Sequence, residues 1–346
     1  MPNLSQIFRN QAGKYNNRLA VEKRQQGVWR GWSWAEYYNT AKAVGLGLYS
    51  LGIRKGDRVA LLSENRLEWL AADMGILGIG ACTVPIYVTL LAPEVAYIIS
   101  NSGSKIFIAE NQAAVRKALD EIDQCPTLEK IVVIETEGCD LSHPLLLSFE
   151  ELLRLGQARD AEAPGLFDTL TDAIDTNDLA TLVYTSGTTG PPKGAMISHG
   201  NILAVFAGLD AVVPAYETDE TVPFLPLCHV FERIAGHFYG MKVGVTAHYA
   251  QGLDTIVEDI KTKKPTIISL SRGFAKKSMR GLSHRSNNNR PGNSASLPGP
   301  VISAPALASC GSAKNPCRPS WPGSINLPLI SFTKSSTKPW VDASAG

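Results

Sequence analysis

The densest chemistry in the chain lies in one run, Tyr184-Thr-Ser-Gly-Thr-Thr-Gly-Pro-Pro-Lys-Gly194. Thr185, Ser186, Thr188 and Thr189 offer four hydroxyls that can donate to phosphate oxygens. Gly187, Gly190 and Gly194 let backbone N–H groups approach an anion with no Cβ in the way. Lys193 adds a positive charge on a flexible stem. Such a set reads as a loop that holds a polyphosphate. It is not the Walker pattern, because Pro192 precedes Lys193 and Gly194 follows it where Ser or Thr would be needed. A flexible Ser/Thr/Gly linker shares the composition, but has no reason to follow a buried strand and carry a single lysine. A second run, Pro223-Phe-Leu-Pro-Leu-Cys-His-Val-Phe-Glu-Arg233, sets His229, Glu232 and Arg233 close together. By residue type alone His229 reads as a core histidine. A zinc site from His229, Glu232 and His237 fails, since the spacing is not His-Glu-x-x-His.

These residues need a scaffold, and the body of the chain supplies an alternating one. Short apolar runs read as strands: Val59 to Leu62, Val84 to Tyr87, Ile106 to Ala109, Ile131 to Ile134, Ala180 to Tyr184, Val243 to Ala247 and Thr266 to Leu270. Their unbroken apolar character suits strands covered on both faces. Between them lie helix candidates: Ser33 to Leu51, Asn65 to Leu77, Ala92 to Asn101, Asn111 to Asp123, Asn201 to Leu209 and Asp254 to Lys261. Alternation of this kind predicts an α/β architecture of mostly parallel sheets, with the polyphosphate loop directly after a strand. Met74 to Ala92 holds no charged residue. Gly75, Gly78, Gly80 and Pro85 interrupt it, so it reads as a buried helix and strand rather than a membrane span.

Tyr184 to Gly194, followed by Ala195-Met-Ile-Ser-His-Gly-Asn-Ile202, resembles the signature of the acyl-adenylate-forming (AMP-binding) superfamily. His229-Val-Phe-Glu-Arg233 is similar to the distinctive motif of its long-chain fatty acid–CoA ligases. Gly56 to Ala60, Glu64 to Trp69 and Gly80 to Tyr87 agree, so the resemblance runs from about Leu4 to Leu270. It implies a truncated large N-terminal domain of the adenylate-forming fold, with stacked, mostly parallel βαβ sheets. It also implies ATP, Mg²⁺ and coenzyme A, with a long-chain fatty acid as the acid substrate. The fatty carboxylate attacks the α-phosphate of ATP, and the thiol of coenzyme A then displaces AMP. Under this reading Thr185, Ser186, Gly187, Thr188, Thr189, Gly190, Lys193 and Gly194 hold the nucleotide, Thr185 meets the metal, and His229 lines the acyl or adenylate pocket. The catalytic set is incomplete, because the family's adenylation lysine has no counterpart. The rival readings are an enzyme adenylating another acid and a non-catalytic ATP-binding protein.

Composition bounds the rest. Of 346 residues 44% are hydrophobic and 19% charged, which is globular. The net charge of +1 hides two unlike pieces. Residues 1–270 carry 23 Lys+Arg against 31 Asp+Glu; residues 271–346 carry ten against one, with Ser, Pro and Gly making up 31 of the 76. The expected division is therefore an incomplete adenylation domain over 1–270 and a disordered, non-homologous tail over 271–346. An out-of-frame origin accounts for that tail. The family continues with Val-Pro-Arg-x-x-Glu-Lys, and codons permitted for Ser271 to Gly281, read one base earlier on a G, encode Val-Pro-Arg-Val-Cys-Glu-Lys-Val-Tyr-Ala-Arg. On this account the Tyr-Gly-x-Thr-Glu and Thr-Gly-Asp segments are lost, the chain is inactive, and its last strand leaves an unpaired edge. The basic balance then implies no nucleic-acid partner. Six cysteines without Cys-x-x-Cys spacing and a start without a secretory pattern point to the cytoplasm. The fatty substrate adds a peripheral place at membranes.

Overall fold

The computed structural model describes residues 1–185, 191–271 and 330–334. Helix α1 (Leu4–Tyr15) leads into an antiparallel hairpin, β1 (Leu19–Gln25) and β2 (Val28–Ser33), and then into α2 (Trp34–Ser50). The turn between the strands is Gln26-Gly27, both at positive φ, which matches the right-handed twist of a two-residue hairpin. Ser33 closes the hairpin and caps α2: its hydroxyl accepts from the Glu36 N–H while the Glu36 side chain reaches back to the Ser33 N–H.

Alternation then sets in, through β3 (Arg58–Leu62), α3 (Leu67–Gly78), β4 (Cys82–Ile86), α4 (Ala92–Ser102), β5 (Ile106–Ala109), α5 (Gln112–Leu119), β6 (Lys130–Val133) and β7 (Leu146–Ser148). Helices α6 (Phe149–Glu162) and α7 (Leu166–Asp172) precede β8 (Leu179–Thr185), β9 (Lys193–Ser198) and α8 (His199–Val212). The third part holds β10 (Glu220–Thr221), a π-helical stretch Glu232–Phe238, α9 (Tyr239–Val243), β11 (Thr246–Tyr249), α10 (Ile256–Lys263), β12 (Ile267–Ser271) and β13 (Ile330–Lys334).

Two sheets result. The seven-stranded one runs β7-β6-β5-β3-β4-β8-β9, parallel except for the β8–β9 pair. Both faces of its centre are covered, and the twofold period of a strand divides the side chains between them. Val59 and Leu61 of β3 join one core cluster with Ile106 and Ile108; Ala60 and Leu62 join the other with Phe107 and Ala109. The six-stranded sheet runs β13-β12-β10-β11-β1-β2.

Three expectations change, and the helix-then-strand reading of Met74 to Ala92 holds. The stretch Val243 to Ala247 is not one strand: Val243 ends α9, Gly244 turns at φ +92°, and the strand is Thr246–Tyr249. The helix expected over Asn111 to Asp123 stops at Leu119, and Ile122–Gln124 forms a separate 3₁₀ turn. Met74 to Ala92 divides between the end of α3 and β4; among the described residues no helix is long and apolar enough to cross a membrane. Finally, β12 is not left with a bare edge, because β13 pairs with it antiparallel from Ile267↔Lys334 to Ser271↔Ile330. That strand is the one described segment of residues 272–346.

Candidate functional site

The run from Tyr184 to Gly194 begins and ends in a pair of antiparallel strands. Strand β8 continues to Thr185 and β9 begins at Lys193, and these two exposed residues face each other in register. Ser186, Gly187, Thr188, Thr189 and Gly190 lie outside the described residues. The root of the hairpin is pinned to α4. The Tyr184 hydroxyl donates to Asn101 Oδ1 at 2.7 Å and the Tyr97 hydroxyl donates to the Pro192 carbonyl at 3.1 Å. Burial pushes the Tyr184 phenol up, so it stays a neutral donor. Gly194 pairs with Tyr184, and a Cβ on it would stand 3.0 Å from the Tyr184 ring. Its missing side chain therefore serves ring packing, a role that composition alone did not reveal.

The second motif reaches the first through a buried ion pair. Arg233, 1% exposed, grips the Asp73 carboxylate of α3 through two nitrogens, with Nε to Oδ2 at 2.7 Å. Its Nη1 donates to Thr181 Oγ1 of β8 at 2.6 Å. The Thr181 hydroxyl donates to the Thr83 carbonyl at 2.8 Å, and the Thr83 hydroxyl donates to Asp73 Oδ1 at 2.7 Å. A charge out of water survives only with such complete pairing. The network joins the π-helical stretch, α3, β4 and β8, and Thr181 lies on the same strand as Thr185, four residues before it. Asp73 and Thr181 were missed by motif reading. The available signal was a lone acid within the otherwise apolar Leu70 to Gly78, which asks for a buried cation.

Around this network stand groups that burial keeps neutral. His229 is half-buried, and burial lowers its pKa. Its Nδ1 accepts from the Phe231 N–H at 3.2 Å, so the neutral ring carries its proton on Nε2. Glu232 is 1% exposed, and neither carboxyl oxygen has a hydrogen-bond partner. Desolvation raises its pKa to about 8, so it is a carboxylic acid at neutral pH. Gly236, one π-helical turn on, leaves the room this carboxyl fills. His237 lies between the hydroxyls of Tyr37 and Tyr249, each 3.0 Å away, and burial lowers its pKa to about 4. Since Tyr37 donates to the Leu70 carbonyl, it accepts from His237 Nε2, and Tyr249 donates to Nδ1. The neighbouring cavity, lined by Trp34, Tyr37, His237, Met241 and Tyr249 among others, measures about 10 Å³. That is space for one water and none for an acyl chain. Among the described residues no three His, Cys, Asp or Glu side chains could hold a metal. At the hairpin end only the Thr185 hydroxyl could ligate a metal, since the Lys193 ammonium has no lone pair, and one oxygen does not make a resident metal site.

Residues 8–321 match the family described as AMP-binding enzyme. The chain belongs to that family. This member of the AMP-binding enzymes is 32% identical over 252 residues to "Long-chain-fatty-acid--CoA ligase ACSBG2" of Xenopus laevis, covering 72% of this chain and 34% of the relative. It is also 32% identical over 253 residues to the long-chain-fatty-acid–CoA ligase FadD15 of Mycobacterium tuberculosis, covering 72% of this chain and 40% of the relative. The chain thus spans between a third and two fifths of these curated relatives. Among solved structures, the anthranilate CoA ligase AuaEII in complex with anthranoyl-AMP superposes with a TM-score of 0.66 at 27% identity, covering 77% of this chain and 49% of that one. The N-terminal domain of FACL13 from Mycobacterium tuberculosis shares the fold with a TM-score of 0.59 at 24% identity, covering 76% of this chain and 61% of that one.

Proposed function

We propose that this AMP-binding enzyme chain carries the phosphate-holding part of a long-chain fatty acid–CoA ligase. The observation that carries the reading is the pinned β8–β9 hairpin, which presents Thr185 and Lys193 side by side at its exposed end. Thr181, further back on β8, ties that hairpin to the His229–Arg233 block. In the reaction a fatty carboxylate attacks the α-phosphate, pyrophosphate leaves, and the thiol of coenzyme A then replaces AMP. Negative charge gathers on the phosphates, so the protein's work is positioning and charge stabilisation. Lys193 supplies the fixed cation and Thr185 a hydroxyl. Ser186, Gly187, Thr188, Thr189 and Gly190, which lie outside the described residues, belong to the same nucleotide-holding run by resemblance. Mg²⁺ bound with the nucleotide would take the Thr185 oxygen and offset phosphate charge. No general base is required, because the fatty carboxylate is already ionised at neutral pH. His229, neutral with its proton on Nε2, carries a donor for the acyl or adenylate pocket that the family resemblance assigns to it.

This chain by itself forms no acyl-CoA under the same proposal. Its sequence holds neither a Tyr-Gly-x-Thr-Glu nor a Thr-Gly-Asp segment, and the proposal takes residues 271–346 as out of frame although the family match extends to residue 321. Titration of the purified chain with Mg·ATP, followed by calorimetry, tests the first claim. K193M is expected to weaken binding about tenfold, the loss of one charge-assisted contact. Equal affinity for both forms would sink the phosphate role of Lys193. Acyl-CoA production from palmitate, ATP and coenzyme A would overturn the inactivity. Resequencing across codons 265 to 285 tests the tail: an in-frame reading with no shifted Val-Pro-Arg would remove the frameshift account.

A further inference from the structure

The run Glu64 to Trp69 has no task in the functional reading. Its first residues leave the carboxyl end of β3, directly after Ser63. The chain passes from β3 to β4 on one side and returns for β5 on the other, so the exit loops of β3 and β5 part here. Ligands of open parallel sheets bind outside the carboxyl ends of the strands at such a point. Strands β3, β4 and β8 run parallel, so Thr185 at the end of β8 emerges on the same edge.

Asn65 stands between two anchored neighbours. The Glu64 N–H donates to Glu110 Oε2 at 3.0 Å, and Arg66 donates to Glu68 at 2.9 Å and to Glu135 at 2.8 Å. The Asn65 side chain itself reaches the second motif. Its Nδ2 donates to the Leu225 carbonyl at 2.8 Å, and its Oδ1 accepts from the Leu227 N–H at 2.7 Å. These two bonds straddle Pro226, which has no N–H of its own. The Pro226 carbonyl accepts from the His229 N–H at 2.9 Å, and His229 Nδ1 accepts from the Phe231 N–H. The site calls for one donor and one acceptor at this reach. Asp would lack the donor, and Gln would be one methylene too long.

We propose that Asn65 is a positioning residue for His229. It fastens the backbone of residues 225–227 to the exit of β3, and the turn on Pro226 then holds the imidazole at the sheet edge that presents Thr185. The inference rests on the ligase reading, which gives His229 its pocket.

The test uses the full 346-residue chain with isotope-labelled histidine, and H229Q assigns the His229 signals. Proton–nitrogen correlation spectra recorded against pH read the tautomer and the titration midpoint of each ring. In the unaltered chain His229 titrates below 6.5, and its neutral form is protonated on Nε2. N65A adds no charge, and Asn65 is half-exposed, so water can reach the groups it leaves. The expected result is a His229 midpoint raised towards 6.5 and a mixture of tautomers. His237, held by Tyr37 and Tyr249, should keep its midpoint of about 4. An unchanged His229 in N65A overturns the proposal. So does a shift that His229 and His237 share, which would mark general loosening. Should N65A not fold, amide exchange of the unaltered chain decides. Protection of the Leu227 N–H supports the clamp, and exchange at the rate of an open peptide overturns it. The histidine signals are read without nucleotide, which separates the two readings. Absence of Mg·ATP binding removes the phosphate role and leaves the histidine result standing, whereas retained binding with an unchanged His229 removes only the positioning role.

Discussion

Glu232 and Arg233 are neighbours on one π-helical stretch, both 1% exposed, and physically opposite. Asp73 and Thr181 take up the Arg233 guanidinium in hydrogen bonds. Glu232 has no partner for either oxygen and gives its charge up, its pKa rising to about 8. Equal burial thus meets unequal partnering: the guanidinium is fully paired and the carboxyl is not. The two residues teach which part of this fold is a fixed joint and which part responds to pH.

The largest effect expected from breaking the comparison is at the joint. Asp73→Ala leaves Arg233 charged, buried and unpaired, and should cost about 3–5 kcal/mol in denaturant unfolding. A Asp73→Leu/Arg233→Leu double variant should recover most of that loss, because no orphan charge remains. A loss in the double variant equal to the single one would show that the pair does not act as a unit.

The pH dependence of stability sharpens the contrast. The folded pKa of Glu232 lies above the ordinary carboxyl value of 4.5, at about 8. Between those values the unfolded chain has lost the proton that the folded chain keeps, so stability falls as pH rises through the window and levels above it. The slope for one group is at most about 1.4 kcal/mol per pH unit. Glu232→Gln, neutral throughout, should flatten the alkaline limb of melting midpoint against pH; an unchanged limb would refute the assignment. His237 supplies the acid limb with the opposite sign. Its pKa falls from 6.5 to about 4, so the unfolded chain protonates first and stability is lost as pH drops from 6.5 to 4. His237→Phe should reduce that limb, while the loss of its hydrogen bonds with Tyr37 and Tyr249 lowers the midpoint at every pH.

The smallest effect is at the hairpin root. Tyr184→Phe removes the bond to Asn101 and should cost about 1 kcal/mol in denaturant unfolding. No change at all would mean that Asn101 does not pin the loop.

Much of this was legible in the chain. Ile106–Ala109 forms a strand over the residues expected, since four consecutive apolar side chains covered on both faces leave little choice. Ser33 and Leu51 bracket α2 because a capping serine and a following glycine mark its ends. The hairpin hid its true extent. Thr185 and Lys193 look like loop residues by type, yet they form the last register pair of β8 and β9. The first 33 residues, and the helices between Phe149 and Asp172, carried signals too weak to separate from loop.

By itself the sequence determined the family, the α/β alternation and the chemical types gathered between Tyr184 and Gly194, all of them consequences of local order. Tertiary structure alone decided that Asp73 meets Arg233 across 160 positions and that Glu232 is left unpartnered. The physical reason is that pairing and desolvation are properties of what packs against a group. A side chain's own neighbours in sequence do not record them.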